Sequence, residues 1–176
     1  MKITVFGASA PKAGQVDYED ALRLGSLLAQ AGHIVLTGGY MGTMEAVSRG
    51  AVEAGGHTIG VTCEELERWR PTPANPWVLE EWKRPTLTRR MDTMMDSADA
   101  MIALPGGPGT LTEISLAWNR MLIASLSPRP LILIGDGWRT LFATLFQVQE
   151  AYVPIEVRSL LTFVETVEQA IQALPR

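Results

Sequence analysis

Three glycine-containing segments of the sequence could bind a phosphate group through their backbone. They are Gly7-Ala8-Ser9, residues 38–43, and the run Pro105-Gly106-Gly107-Pro108-Gly109-Thr110. Each follows a short apolar stretch, and the last two lead directly into a helical pattern. At such a helix start, backbone N–H groups and the positive end of the helix dipole can hold an anion. The predicted phosphate-binding residues are Gly7, Ser9, Gly38, Gly39, Gly42, Thr43, Gly106, Gly107, Gly109 and Thr110.

Glycine suits these positions because it reaches positive φ without strain and lets a ligand approach the backbone closely. The structural alternative is that a tight turn from strand to helix uses glycine whether or not a ligand binds there. Two such loops after two strands of one sheet favour the ligand. Neither loop has the G-x-G-x-x-G pattern, and no Walker lysine follows, so ordinary dinucleotide and P-loop sites are excluded.

Three charged residues are further candidates for a role at the site, and Glu113 and Glu45 each have a structural alternative. Glu113 could complete a capping box with Thr110, in which its carboxylate reaches back to the Thr110 N–H. Arg90 lies near the start of a predicted helix, where a cation is unfavourable, so a ligand anion is one reason for its presence. Glu45 could contact a ligand or simply suit the dipole of its own helix.

The apolar pattern predicts a parallel sheet that would position these groups. Short buried strands are expected at residues 3–6, 34–36, 58–61, 100–104 and 131–134, with helical spacing between them. Continuous apolar strands that alternate with helices predict an α/β fold, a doubly wound parallel sheet with helices on both faces. Ligands of such sheets bind beyond the carboxyl ends of the strands. Residues 64–85 interrupt the pattern with four prolines and three tryptophans, which indicates an ordered excursion.

Length and composition predict one cytoplasmic domain over residues 1–176. The chain is 47% hydrophobic and 19% charged, which is enough to bury a full core. Its single cysteine, Cys63, excludes an internal disulfide, and we expect neither a signal peptide nor a membrane span. The net charge of −4 argues against a nucleic-acid surface. No spacing of Cys and His suggests a metal site.

The segment from Pro105 to Glu113 resembles the PGGxGTxxE signature of the LOG (Lonely Guy) family. Residues 38–45 resemble the GGGPGIME-type loop of that family, and Arg90 falls at its upstream arginine. The resemblance implies a Rossmann-like homodimer that hydrolyses the N-glycosidic bond of a nucleoside 5′-monophosphate, such as an adenine or N6-modified adenine nucleotide. It implies catalytic roles for Arg90 and Glu113, a binding role for Glu45, and no cofactor.

Two positions depart from the family pattern. Many members have Arg-Lys where this chain has Arg90-Met91, and Glu-Glu where it has Thr112-Glu113. The loss of a cation and a carboxylate could alter base specificity or weaken catalysis. A carrier that binds a nucleotide or the molybdenum cofactor without cleaving it is therefore the alternative, because such carriers share the fold and much of the loop pattern.

Overall fold

A computed structural model of the chain describes residues 1–175 and shows one seven-stranded sheet in which all neighbouring strands are parallel. The strands are β1 (Lys2–Phe6), β2 (Ile34–Thr37), β3 (Thr58–Gly60), β4 (Glu80–Glu81), β5 (Ala100–Ala103), β6 (Leu131–Ile134) and β7 (Thr162–Val164). The helices are α1 (Val16–Gln30), α2 (Thr43–Glu53), α3 (Glu64–Trp69), α4 (Leu87–Asp96), α5 (Pro108–Leu122), α6 (Asp136–Val148), α7 (Ile155–Arg158) and α8 (Val167–Gln172). A 3₁₀ turn at Glu150–Tyr152 follows α6.

The strand order is β4-β3-β2-β1-β5-β6-β7, so the direction of progress along the sheet reverses between β1 and β5. Ile3 of β1 is in register with Val35 of β2 on one side and with Ala100 of β5 on the other. The loops after β1 and β5 therefore flank the crevice in which such folds bind ligands.

Helices cover both faces of the sheet, and the five central strands are therefore buried over nearly their whole length. Residues of α1, α2 and α8 pack on one face, and residues of α4, α5 and α6 pack on the other. Every residue of β5 and β6 is buried. The predicted α/β, Rossmann-like class is thus confirmed.

The sequence pattern missed two strands, and both lie at edges of the sheet. β4 consists of two residues, Glu80 and Glu81, and both are exposed. β7 consists of three residues, of which Thr162 is exposed and the other two are half-buried. Edge strands this short and this exposed carry little of the hydrophobic signal that reveals a central strand. β4 lies inside the excursion predicted at residues 64–85, which also contains α3.

Within residues 1–175, no helix combines the length and the hydrophobicity that crossing a bilayer would require.

Candidate functional site

A pocket of about 460 Å³ lies over the carboxyl ends of the central strands. Its walls come from the loop after β1, from α3 and the start of α4, and from the start of α5. The residues that line it are Gly7, Ala8, Ser9, Ala10, Tyr40, Met44, Leu66, Trp69, Arg70, Leu87, Arg90, Met91, Gly107, Pro108, Gly109, Thr110, Thr112 and Glu113. It therefore brings Gly7, Ser9, the α5 start, Arg90 and Glu113 together.

The start of α5 offers backbone donors to an anion. The helix begins at Pro108, which has no N–H, and its N-cap is Gly107. Among the described residues, none accepts a hydrogen bond from the N–H groups of Gly107, Gly109 or Thr110. A Cβ atom at Gly107 or Gly109 would meet nothing within 4 Å. These residues line the pocket, so unpaired amides lie beside it at the positive end of a 15-residue helix, the arrangement that binds phosphate.

Arg90 crosses the floor of the pocket and is 5% exposed. Its Nε donates a hydrogen bond of 2.7 Å to the Val61 carbonyl, just after β3. The guanidinium carbon lies 5.8 Å from the centroid of the Tyr40 ring, within the range of a cation–π contact. A Cβ at Gly38 would lie 1.9 Å from Nη2 of Arg90, so only glycine leaves room for the guanidinium there.

Glu113 lines the same pocket and contacts Arg90. Its Oε1 lies 3.5 Å from Nη1 of Arg90, and the residue is 8% exposed. Burial raises the pKa of Glu113 from its ordinary value of 4.5 to about 7, although the Arg90 charge acts in the opposite direction. The carboxyl group can therefore gain or lose a proton near neutral pH, a property suited to acid–base chemistry.

The structural alternative for Glu113, a capping box at the start of its own helix, does not occur in the structure. The helix begins two residues before Thr110, so Glu113 lies in the second turn rather than the first, and its carboxylate contacts Arg90. The N-cap residue, Gly107, has no side chain with which to form a capping box.

The second glycine loop was expected to contact phosphate, but its glycines lie behind the pocket wall, to which only Tyr40 of residues 38–43 contributes. Gly38, Gly39, Gly42 and Thr43 are buried and do not line the pocket. Both the N–H and the hydroxyl of Thr43 donate to the Ala8 carbonyl, at 2.9 and 3.1 Å, so neither is available to a ligand. In this segment the glycines therefore serve the tight turn into α2, which is the structural alternative given for them above.

Close packing explains the glycines of this region. A Cβ at Gly42, where φ is +73°, would lie 2.3 Å from the Ala8 carbonyl oxygen. A Cβ at Gly7 would lie 2.2 Å from the Thr43 hydroxyl. The start of α2 is therefore pressed against the loop after β1, and this contact fixes the shape of that loop.

Two further predicted binding residues also lie outside the main pocket. Glu45 accepts a hydrogen bond of 3.4 Å from the Tyr18 hydroxyl. Gly106 lines a separate apolar pocket of about 330 Å³ together with Pro105, Ile134, Gly137, Trp138 and Leu141. A Cβ at Gly106 would lie 2.2 Å from the Thr110 hydroxyl, so this glycine permits the turn into α5.

Several pocket residues were not identified from the sequence, above all Tyr40, Leu66, Trp69 and Arg70. Tyr40 stands where the family-type loop has its third glycine, and its buried hydroxyl accepts a hydrogen bond of 2.7 Å from the Cys63 N–H. Leu66, Trp69 and Arg70 belong to the excursion after β3. The three tryptophans of that excursion were the signal available in the sequence. Within residues 1–175, no cluster of three or more His, Cys, Asp or Glu side chains is placed to hold a metal ion.

Comparison with known families identifies the chain. The model of the SLOG cluster4 family matches residues 1–150, and the chain belongs to this family. This confirms the LOG-like resemblance carried by the loop from Pro105 to Glu113.

The relatives with similar sequences include named hydrolases. A cytokinin riboside 5′-monophosphate phosphoribohydrolase of Mycobacterium tuberculosis is 28% identical over 97% of this chain and 91% of its own length. The protein of the same name, LOG, from Oryza sativa subsp. japonica is 31% identical over 98% of this chain and 72% of its own length.

The solved structures with similar folds include binding and carrier proteins. The molybdenum cofactor binding protein of Rippkaea orientalis superposes with a TM-score of 0.75 and 28% identity, over 97% of this chain and 93% of that one. The molybdenum cofactor carrier protein of Chlamydomonas reinhardtii gives a TM-score of 0.72 and 28% identity, over 98% and 94%. DNA processing protein A of Streptococcus pneumoniae, at 14% identity and a TM-score of 0.64 over 99% and 62%, shares the fold alone.

Proposed function

We propose that this chain is a nucleoside 5′-monophosphate phosphoribohydrolase, which releases a free base and ribose 5-phosphate. One observation carries the proposal: a buried carboxyl group with a pKa of about 7, on Glu113, shares a pocket with Arg90 and with the unpaired amides at the start of α5. The names of the hydrolase relatives at about 30% identity support the same reaction.

The phosphate of the substrate binds to the N–H groups of Gly107, Gly109 and Thr110. Held there, the ribose extends along α5 toward Glu113, one helical turn further on. Arg90 lies beside that path, where its guanidinium can donate hydrogen bonds to the ribose hydroxyls or the phosphate. Binding energy from the phosphate thereby positions the glycosidic bond.

Cleavage of the glycosidic bond passes through a cation-like ribosyl group. The Glu113 carboxylate stabilises this charge and accepts a proton from the water that attacks C1′. The bond from C1′ to the base nitrogen breaks, the bond from C1′ to the water oxygen forms, and the proton that Glu113 accepted passes to the departing base, which restores the carboxylate. Burial of Glu113 strengthens its interaction with the developing charge, because little water is present to screen it.

A second candidate function, a carrier that binds a phosphorylated ligand without cleaving it, has its own support. Two similar solved structures are named as molybdenum cofactor binding or carrier proteins and match more than nine-tenths of this chain. The positions that depart from the hydrolase pattern, Met91 and Thr112, both line the pocket. The Thr112 hydroxyl donates to the Pro108 carbonyl at 2.8 Å.

Incubation of the pure protein with AMP, and then with other nucleoside monophosphates, separates the two functions. A hydrolase forms free base and ribose 5-phosphate in equal amounts, which chromatography detects. The Glu113→Gln variant should bind the nucleotide and form neither product. Tight binding without products, under conditions in which a relative of known activity turns over, would reject hydrolysis and favour the carrier.

A further inference from the structure

The pocket has a second end, away from the phosphate-binding start of α5. The loop that leads into α5 follows β5, whereas α3 follows β3, and β1 and β2 lie between these two strands. Three strand spacings separate the ends of β3 and β5, roughly 14 Å at 4.7–4.9 Å each. The distance matches an extended nucleoside monophosphate, so a phosphate at α5 directs its base toward α3.

The α3 end presents an aromatic ring to the pocket. Trp69 lines the pocket and is 77% exposed. The neighbouring pocket residues Leu66 and Leu87 are apolar, and Leu87 is 37% exposed. An open tryptophan face beside apolar side chains is a surface on which a planar base can stack.

Arg70 adds a polar group with a defined preference. Among the described residues its side chain forms no salt bridge, and its guanidinium carbon lies 5.7 Å from the Trp69 ring centroid. A contact at that distance on an exposed surface is weak and is easily exchanged for a ligand. Because a guanidinium only donates hydrogen bonds, it selects a base edge that carries acceptors.

We propose that Trp69 and Arg70 form the base-binding end of the pocket and select 6-oxopurine nucleotides over adenine nucleotides. The O6 and N7 atoms of an oxopurine both accept hydrogen bonds, and arginine pairs with them in a bidentate fashion. Adenine carries a donor at C6, which the guanidinium cannot pair with. The proposal rests on the proposed function, because it assumes that the phosphate binds at the start of α5.

Calorimetric titration of IMP, AMP and ribose 5-phosphate tests the proposal. The full-length Glu113→Gln protein is used so that the nucleotides are not consumed. IMP should bind at least ten-fold more tightly than AMP. Adding Trp69→Leu to this protein should weaken the binding of both nucleotides about ten-fold. It should leave the binding of ribose 5-phosphate unchanged, because that ligand has no base to stack. Adding Arg70→Met should bring IMP to the affinity of AMP.

Trp77→Leu serves as the matched control. Trp77 belongs to the same excursion but lies outside the pocket, with its ring 5.7 Å from the Arg49 guanidinium. The control should keep the preference for IMP.

The proposal is overturned if AMP binds as tightly as IMP, if Trp69→Leu weakens all three ligands equally, or if no nucleotide binds. Hydrolysis by the unmodified protein is measured in parallel. Preference for IMP without cleavage of any nucleotide rejects the proposed function and leaves the base selectivity standing. Cleavage of nucleotides together with equal binding of IMP and AMP supports the proposed function and rejects the base selectivity.

Discussion

Replacement of Glu113 by glutamine should raise the stability of the protein relative to the unmodified chain as the pH increases from 5 to 8. The Glu113 carboxyl group has a pKa of about 7 in the folded protein, against an ordinary value of 4.5. The folded state therefore holds its proton more tightly than the unfolded state does. The stability associated with this group is fully present below about pH 4.5 and is lost as the pH rises through 7.

The magnitude follows from the two pKa values. Each tenfold change in a proton-binding constant corresponds to about 1.4 kcal/mol, so ionised Glu113 costs the folded state about 3 kcal/mol. Between pH 5 and pH 8, this group alone should lower the free energy of unfolding by about 2.5 kcal/mol. Glutamine has nearly the same shape as the protonated carboxyl group and does not ionise, so the variant lacks that loss.

Urea denaturation of both proteins at several pH values between 5 and 8 measures the effect. As the pH rises from 5 to 8, the free energy of unfolding of Glu113→Gln should increase steadily relative to that of the unmodified protein. Replacement of the exposed Glu150 by glutamine controls for the loss of one negative charge. A constant difference across this range would show that Glu113 is not destabilised by burial, and the argument for its role as an acid–base group would fail.

Four further predictions concern activity and assembly. Gly38→Ala should lower the rate of nucleotide cleavage at least ten-fold by displacing Arg90, whereas Gly137→Ala, whose Cβ meets nothing within 4 Å, should leave it unchanged in the same assay. Tyr40→Leu should reduce kcat about ten-fold, because it removes the ring beneath Arg90. Tyr40→Phe keeps that ring and should lower only the stability of the protein. Steady-state kinetics and thermal unfolding separate the two variants, and equal kcat values for them would refute a positioning role. The rate should rise with pH through about 7 as Glu113 becomes ionised, so a flat profile of kcat against pH would remove it from the reaction. Light scattering should show a homodimer, as the family resemblance implies, and a monomer at micromolar concentration would reject it.

The sequence predicted those strands and turns whose local hydrophobic or glycine pattern agrees with their place in the fold. The sequence pattern predicted five central strands with helices between them, and the predicted bounds of the strands agree with the structure to within two residues. The start of α5 was also recognisable, because its glycines must leave backbone amides exposed. The family signature points to Arg90 and Glu113, and the structure places these two side chains 3.5 Å apart in one pocket.

What the sequence could not show was contact between distant segments. Gly38 resembles a ligand-binding glycine, yet the space beside it is filled by the side chain of Arg90. The donors of Thr43 are occupied by the Ala8 carbonyl, which no local pattern reveals. Trp69 and Arg70 reach the pocket because the excursion after β3 folds back over it. Its prolines and exposed polar residues give no regular hydrophobic pattern, so the sequence does not predict this fold-back.

The contact between Arg90 and Glu113 also makes the site sensitive to how the sheet is assembled. Arg90 is held by residues that follow β2 and β3, whereas Glu113 follows β5, so the pair spans the junction of β1 with β5. A slip of one residue in that junction would displace one half of the sheet by about 3.3 Å and turn its side chains to the opposite face. Such a misassembled molecule could keep its helices and strands and still separate the two groups. Catalytic competence would then report correct strand register, which circular dichroism alone would not detect.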